Sequence, residues 1–141
     1  MIDMAALNER IEAGRRELSN SNNVKGVLSL ATRTQIWKTM LDIDDAERSY
    51  RDRTHLNMAC VRHVQFIWER AFPEDDRIEE MLSLTQKLID QTVDTDEAKS
   101  RSESFLDDVE ARGTGDSTVL RAAMVADAAS HMVDSACYGG L

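Results

Sequence analysis

Proline and glycine are scarce in this chain. Its 141 residues include one proline and six glycines, and only 5% of them are aromatic. An all-β fold of this length needs many tight turns, which draw heavily on proline and glycine. The shortage therefore disfavours an all-β protein and favours an all-α one.

Long hydrophobic runs are also missing. No apolar stretch approaches the roughly 20 residues that a membrane span needs, and the first residues lack the basic segment and apolar core of a secretory signal. The two cysteines, Cys60 and Cys137, stand far apart in apolar helical contexts. We expect a cytoplasmic protein with two reduced, buried thiols, although a disulfide between them stays open.

Motifs for catalysis and metal binding are absent as well. The sequence contains no phosphate-binding glycine loop, no Gly-x-Ser-x-Gly and no Glu-x-x-His. Cys60 and His63, and likewise His131, Asp134 and Cys137, stand at three-residue steps, but neither group comes with the second pair that zinc needs. We expect no catalytic residues, no cofactor and no metal, with His63 and His131 packed in the core.

Negative charge is in excess and unevenly spread. The net charge is −9, and residues 42–110 alone hold 19 acidic and 9 basic side chains, a net charge of −10. An acidic segment disfavours nucleic acid and anionic membranes as partners, because both attract basic proteins. It favours solubility, or attraction toward a basic partner.

Hydrophobic periodicity predicts an αα-hairpin at the centre of the chain. Apolar residues recur at three- and four-residue steps over 56–71 and again over 78–89. Pro73 is expected to end the first helix, and Asp76 with Glu79 has the spacing of a capping box for the second. The predicted buried face of the first helix comprises Leu56, Ala59, Cys60, His63, Val64, Ile67, Trp68 and Ala71.

Four further helices are predicted over residues 3–18, 25–43, 95–112 and 117–138. Residues 44–53 are predicted to form an exposed connector, with a helical turn as the alternative. Six helices with short connections indicate an all-α, single-domain helical bundle over residues 1–141.

The last two predicted helices differ in character. The helix over 95–112 has a thin apolar stripe, which predicts a peripheral position, and Asp94 with Glu97 has capping-box spacing. The helix over 117–138 is apolar nearly all round, which predicts an interior position. Residues 139–141 are expected to be a frayed tail.

The densest negative charge surrounds the hairpin turn and is a candidate surface for a basic partner. Stabilisation of acidic residues by the helix macrodipole also explains several of them, and Arg70 and Arg77 would reduce the field by pairing. Trp37 and Phe66 are candidate apolar anchors, whereas core packing is the favoured role of Trp68. The predicted partner-binding residues are Glu74, Asp75, Asp76, Glu79, Glu80, Asp42, Asp44, Asp45 and Glu47.

Two segments carry family motifs. Residues 59–82, ACVRHVQFIWERAFPEDDRIEEML, combine a helix with an Ala/Cys-rich start and an aromatic end, a Phe-Pro-Glu-Asp-Asp-Arg turn and a second helix. Residues 121–133, RAAMVADAASHMV, form an Ala-rich closing helix with an Ala-x-His element. The chain thereby resembles the all-α immunity proteins of bacterial polymorphic toxin systems.

The resemblance implies a cytoplasmic, non-enzymatic protein that binds and neutralises a cognate toxin stoichiometrically. An acidic inhibitor of this kind would fit the basic groove of a nuclease-type toxin. Two alternatives stay open from the residues alone: a helical adaptor or regulatory interaction module, and an enzyme or ligand-binding bundle. The latter would require a buried polar pocket that contains His63 or His131. The oligomeric state is open.

Overall fold

The computed structural model describes residues 2–113 and 115–138, which form six α-helices and no strand. The all-α class is confirmed, and the predicted tail at 139–141 lies outside the described residues. The helices are α1 (Met4–Ser19), α2 (Leu30–Thr39), α3 (Ala46–Ala71), α4 (Arg77–Ile89), α5 (Thr95–Ala111) and α6 (Ser117–Cys137).

The chain divides into two compact units, residues 1–52 and 53–141. The first contains α1, α2 and the start of α3, and the second contains the rest of α3 with α4 to α6. All the buried apolar side chains among the described residues lie between Val61 and Ala136. The hydrophobic core therefore belongs to the second unit. That residues 1–141 fold as one domain stays a prediction.

In the first unit α1 packs against α2, and Gly14 of α1 is buried. A methyl group at this buried glycine would lie 3.5–3.6 Å from side-chain atoms of Leu28, Thr32 and Ile36. The carboxylate of Glu17, one turn further along α1, accepts hydrogen bonds from the Ser29 N–H and the Thr32 hydroxyl. These hydrogen bonds lower the pKa of Glu17, and the bond from Thr32 has the largest effect.

The helix predicted over 25–43 is wrong at both ends, because α2 is only ten residues long. Before it, Gly26 has a φ of +62°, which is incompatible with a continuous helix. The Asn23 side chain brackets this loop by donating to the Val27 carbonyl and accepting the Val27 N–H. Ser29 then caps α2 by accepting the N–H three residues ahead.

The predicted connector over 44–53 is wrong, since α3 begins within it and runs on for 26 residues. Asp45 accepts the N–H of Arg48 at 2.9 Å, which is the bond that starts a helix. Glu47 and Arg51 then form an ion pair at 2.6 Å across one helical turn. Charged residues that look like a loop by composition thus support the first turns of α3.

The buried face of α3 is rotated from the predicted one. Ala59, Cys60 and His63 are exposed, whereas Val61 and Trp68, seven residues apart, are buried. Trp68 has the largest apolar surface of the helix, so its burial outweighs that of small residues such as Ala59. The predicted burial of Cys60 and His63 is therefore wrong. The partly buried residues of α3 that pack on the core are Met58, Val64, Ile67 and Ala71.

The central αα-hairpin is confirmed: α3 ends two residues before Pro73, and α4 begins at Arg77. In α4, which packs on α5 and α6, most of the length faces the core. Its buried residues are Ile78, Met81, Leu82, Leu84, Thr85 and Leu88.

Small residues let α5 and α6 approach closely. Ala98 on α5 and Ala126 and Ala129 on α6 are fully buried. The hydroxyls of Ser102 and Ser130 lie 2.8 Å apart in the same interface, so each buried hydroxyl has a partner. As its thin stripe predicts, α5 buries only one line of residues.

The prediction that α6 lies in the interior is only partly right. One face is buried, but Leu120 and Met124 expose 45% and 65% of their surface. The helices α4 and α5 pack on its inner side, and its outer side keeps these apolar residues in contact with solvent. Apolar composition predicted burial, but the number of neighbouring helices decided it.

Replacing Gly14 with alanine is expected to raise the free energy of unfolding by about 0.5–1 kcal/mol. The added methyl group makes ordinary van der Waals contacts, while the unfolded chain loses freedom. Gly26→Ala is the matched control, and it should destabilise by about 1 kcal/mol because its φ is positive. Urea unfolding of both variants measures the difference; destabilisation by Gly14→Ala would contradict the packing.

Replacing Ala129 with leucine is expected to lower the free energy of unfolding by about 1–3 kcal/mol, because the buried site leaves no room for three more carbons. Ala128→Leu, next to it on the exposed face, should stay within about 0.5 kcal/mol. Thermal and urea unfolding compare the two. Equal effects would show that this side of α6 is loosely packed.

Candidate functional site

The turn between α3 and α4 is held on the core by an indole. The N–H of Trp68 donates to the backbone carbonyl of Asp75 at 3.0 Å. The Asp75 N–H in turn donates to the Phe72 carbonyl, also at 3.0 Å, and the Phe72 ring lies 4.7 Å from the Trp68 ring. The predicted core role of Trp68 is confirmed, and it extends to positioning the turn.

The side chain of Asp75 organises a cluster of charges that we call the Arg77 network (Asp75, Arg77, Asp108 and Arg112). Arg77 donates to both carboxylate oxygens of Asp75 at 2.7–3.0 Å and to Asp108 at 2.6 Å. The Arg112 guanidinium lies 3.6–3.9 Å from the same two carboxylates. Hydrogen bonds from Arg77 lower the pKa of Asp75 and Asp108, and those carboxylates raise the pKa of Arg77.

The predicted capping box at the start of α4 is wrong. Asp76 is the N-cap residue, but its side chain makes no capping hydrogen bond. The Glu79 carboxylate points to α3 instead, where it accepts from Gln65 at 2.8 Å and from Arg62 at 3.2 Å. These hydrogen bonds lower the pKa of Glu79, and the bond from Gln65 has the largest effect. Glu79 therefore fastens α4 to α3.

Three acidic residues of the turn region have no such partner. Glu74, Asp76 and Glu80 are exposed, and none of them forms an ion pair in the described part of the chain. Exposed carboxylates outside ion pairs add to the negative surface potential. We call these three residues the free carboxylates.

The acidic residues predicted in the first unit surround the start of α3. Asp42 is buried, and its carboxylate accepts the Asp44 N–H at 3.1 Å while its carbonyl accepts the Ser49 hydroxyl at 3.1 Å. Asp45 caps α3 and Glu47 pairs with an arginine, as described above. Asp44 is exposed. Partner binding by all nine predicted residues stays a prediction.

Neither candidate histidine lies in a buried pocket. His63 is exposed on α3, and His131 is exposed on α6 with its Nε2 atom 3.6 Å from Asp127. Across residues 2–113 and 115–138, no group of three or more His, Cys, Asp or Glu side chains could hold a metal ion. The helices in these ranges are each too short or too polar to cross a membrane. The predicted core packing of both histidines is wrong.

Sequence reasoning missed a cleft of about 270 Å³ between α3 and α6. Both Phe66 and Arg70 line this cleft, and the guanidinium of Arg70 lies over the Phe66 ring, 4.9 Å from its centroid. Spacing alone could have suggested that contact, since residues four apart on a helix are neighbours. The α6 wall could not have been anticipated, because it requires the tertiary fold. The residues lining the cleft are Phe66, Ile67, Arg70, Thr118 and Arg121.

Replacing Asp75 with asparagine is expected to lower the free energy of unfolding at pH 7 by roughly 1–2 kcal/mol, because charged hydrogen bonds to Arg77 are lost. The folded pKa of Asp75 lies below its ordinary value of 3.8, so its contribution is complete above about pH 4 and is lost as the pH falls further. The difference between wild type and variant should therefore vanish at low pH.

The matched control is Asp107→Asn, an exposed residue of α5 that forms no ion pair in the described part of the chain. Its unfolding should follow the wild type across the whole pH range. Urea titrations between about pH 2 and pH 7 measure both variants. A constant deficit of Asp75→Asn down to the lowest pH would contradict the assigned charge interaction.

Comparison with known proteins gives one finding and one negative result. No curated protein matches the chain significantly. A family model described as "Immunity protein Imm5" matches residues 11–141, which include the hairpin, its turn and the closing helix. The resemblance to immunity proteins noted in the sequence is thereby confirmed. Because the match covers nearly the whole chain, this protein belongs to the Imm5 family of immunity proteins.

Proposed function

We propose that this protein binds a cognate toxin domain in the cytoplasm and neutralises it stoichiometrically, without catalysis. The observation that carries the proposal is the family match over residues 11–141. We further propose that the free carboxylates at the hairpin turn face a basic groove of the toxin. Unpaired negative charge on an exposed turn supports this orientation.

Electrostatics of the turn support binding. Catalytic carboxylates commonly have a pKa shifted toward neutral by burial. The shifted carboxylates of this surface, Asp75 and Glu79, have instead a lowered pKa and are fixed by hydrogen bonds to Arg77, Gln65 and Arg62. Such pairs suit a structural role, which leaves the free carboxylates for the partner.

Rigidity of the turn also supports binding. The indole of Trp68 and the guanidinium of Arg77 hold the backbone and side chain of Asp75 from two sides. The neighbouring free carboxylates therefore stand on a fixed segment. A preordered surface loses less entropy on association, which strengthens binding without additional contacts.

A pull-down with the full chain as bait, followed by growth rescue, tests the function itself. The toxin domain encoded beside this protein should be captured, and co-expression of the protein should restore growth of cells that express it. The purified protein and the purified toxin domain should form a complex of fixed stoichiometry. If co-expression does not restore growth of cells that express the captured toxin, the proposal is wrong.

Reversing the charge of the free carboxylates, with Glu74→Lys, Asp76→Lys and Glu80→Lys combined, is expected to slow toxin association by about tenfold or more at low salt. The dissociation rate should change little, because steering acts before contact. Stopped-flow association at several salt concentrations measures the effect. The wild-type rate should itself fall as salt rises.

The control combines Glu9→Lys, Glu103→Lys and Asp107→Lys, exposed residues without ion pairs in the described ranges. This variant has the same net charge as the variant at the turn, so the two differ only in where the charges lie. It should associate faster than the variant at the turn. Equal rates for the two variants, or a wild-type rate insensitive to salt, would reject attraction through the turn.

A further inference from the structure

We propose that the cleft between α3 and α6 is a second contact site for the toxin, and that it binds an apolar side chain lying beside a carboxylate. This inference rests on the proposed function, since it names the toxin as the occupant. It adds a contact of opposite charge to the one at the hairpin turn. The contact is defined by Phe66, Ile67, Arg70, Thr118 and Arg121.

The apolar part of the cleft is formed by Phe66 and Ile67. Phe66 is 47% exposed, although three residues of the same helix turn, Ile67, Trp68 and Val64, are buried or half-buried. Aromatic residues, phenylalanine among them, are enriched at protein–protein interfaces. The cleft has a volume of about 270 Å³, which is enough for one large side chain.

The charged part of the cleft is formed by Arg70 on α3 and Arg121 on α6. Neither arginine forms an ion pair in the described part of the chain, although the protein has nine more negative than positive charges. Arg70 is held over Phe66, so its position is set without a carboxylate. Two guanidinium groups at an apolar cleft favour a ligand with a carboxylate beside an apolar group.

Exposed apolar residues continue along the outer face of α6. Leu120 precedes Arg121 in the chain, and Met124 lies one helical turn beyond it. These residues extend the apolar surface of the cleft that a partner can cover, and methionine adapts readily to a partner's shape. A toxin segment longer than one side chain therefore finds additional contact area beside the cleft.

The toxin is favoured over a second copy of this chain as the occupant. Two copies with a net charge of −9 each repel one another, whereas a partner with a basic groove is attracted. The free carboxylates would meet that groove, and the cleft would meet an acidic-apolar segment of the same toxin. Contacts of opposite sign fix one orientation of the complex, because turning the partner over would oppose like charges.

The experiment uses the full chain and the toxin domain identified by growth rescue. Surface plasmon resonance at high salt measures dissociation for Phe66→Ala, Arg70→Glu and Arg121→Glu. Each should accelerate dissociation by about 30-fold or more, as loss of an anchor or of a buried charge pair does. The control Lys87→Glu makes the same charge change at an exposed residue of α4 and should stay within about twofold.

Circular dichroism and melting temperature confirm that each variant is folded. The milder substitutions Phe66→Leu and Arg121→Gln should also accelerate dissociation, but by a smaller factor. If wild type binds the toxin but the cleft variants dissociate at the wild-type rate, the cleft is not a contact site and the proposed function stands. If wild type captures no toxin, both proposals fall. Loss of self-association in sedimentation, with toxin binding unchanged, would assign the cleft to a second copy and overturn the inference.

Discussion

The hydrogen bond from the Trp68 indole to the Asp75 carbonyl is the interaction on which the second unit depends. A fully buried tryptophan contributes the largest apolar area on α3, but burial is favourable only if its N–H finds an acceptor. The turn supplies that acceptor. It thereby sets the rotation of α3 and the point at which α4 begins, and it brings the Asp75 carboxylate to Arg77.

This arrangement divides one acidic segment into two populations. Asp75 and Glu79 join helices together through Arg77, Arg62 and Gln65. The free carboxylates are their immediate neighbours in sequence and form no ion pair in the described part of the chain. A surface of this kind combines a rigid base with exposed charge, and the proposed binding of a toxin would use both.

Much of the fold follows from local pattern, and the errors share a cause. Pro73 and the two amphipathic stretches around it predicted the hairpin because helix periodicity and proline stereochemistry act over a few residues. The connector over 44–53 and the start of α2 were missed because side chains such as Asp45 and Asn23 decide where helices begin. Their hydrogen-bond partners are chosen by backbone geometry, which composition does not reveal.

The sequence by itself determined the all-α class, the hairpin, the acidic middle segment and the family. Only the tertiary structure decided which face of α3 is buried, because apolar residues on neighbouring faces compete and the bulk of Trp68 outweighs Ala59 and Cys60. It alone separated paired from free carboxylates, since Glu79 finds Arg62 and Gln65 on another helix. It alone placed Phe66 and Arg70 opposite Arg121, because residues more than 50 positions apart meet only when the helices pack.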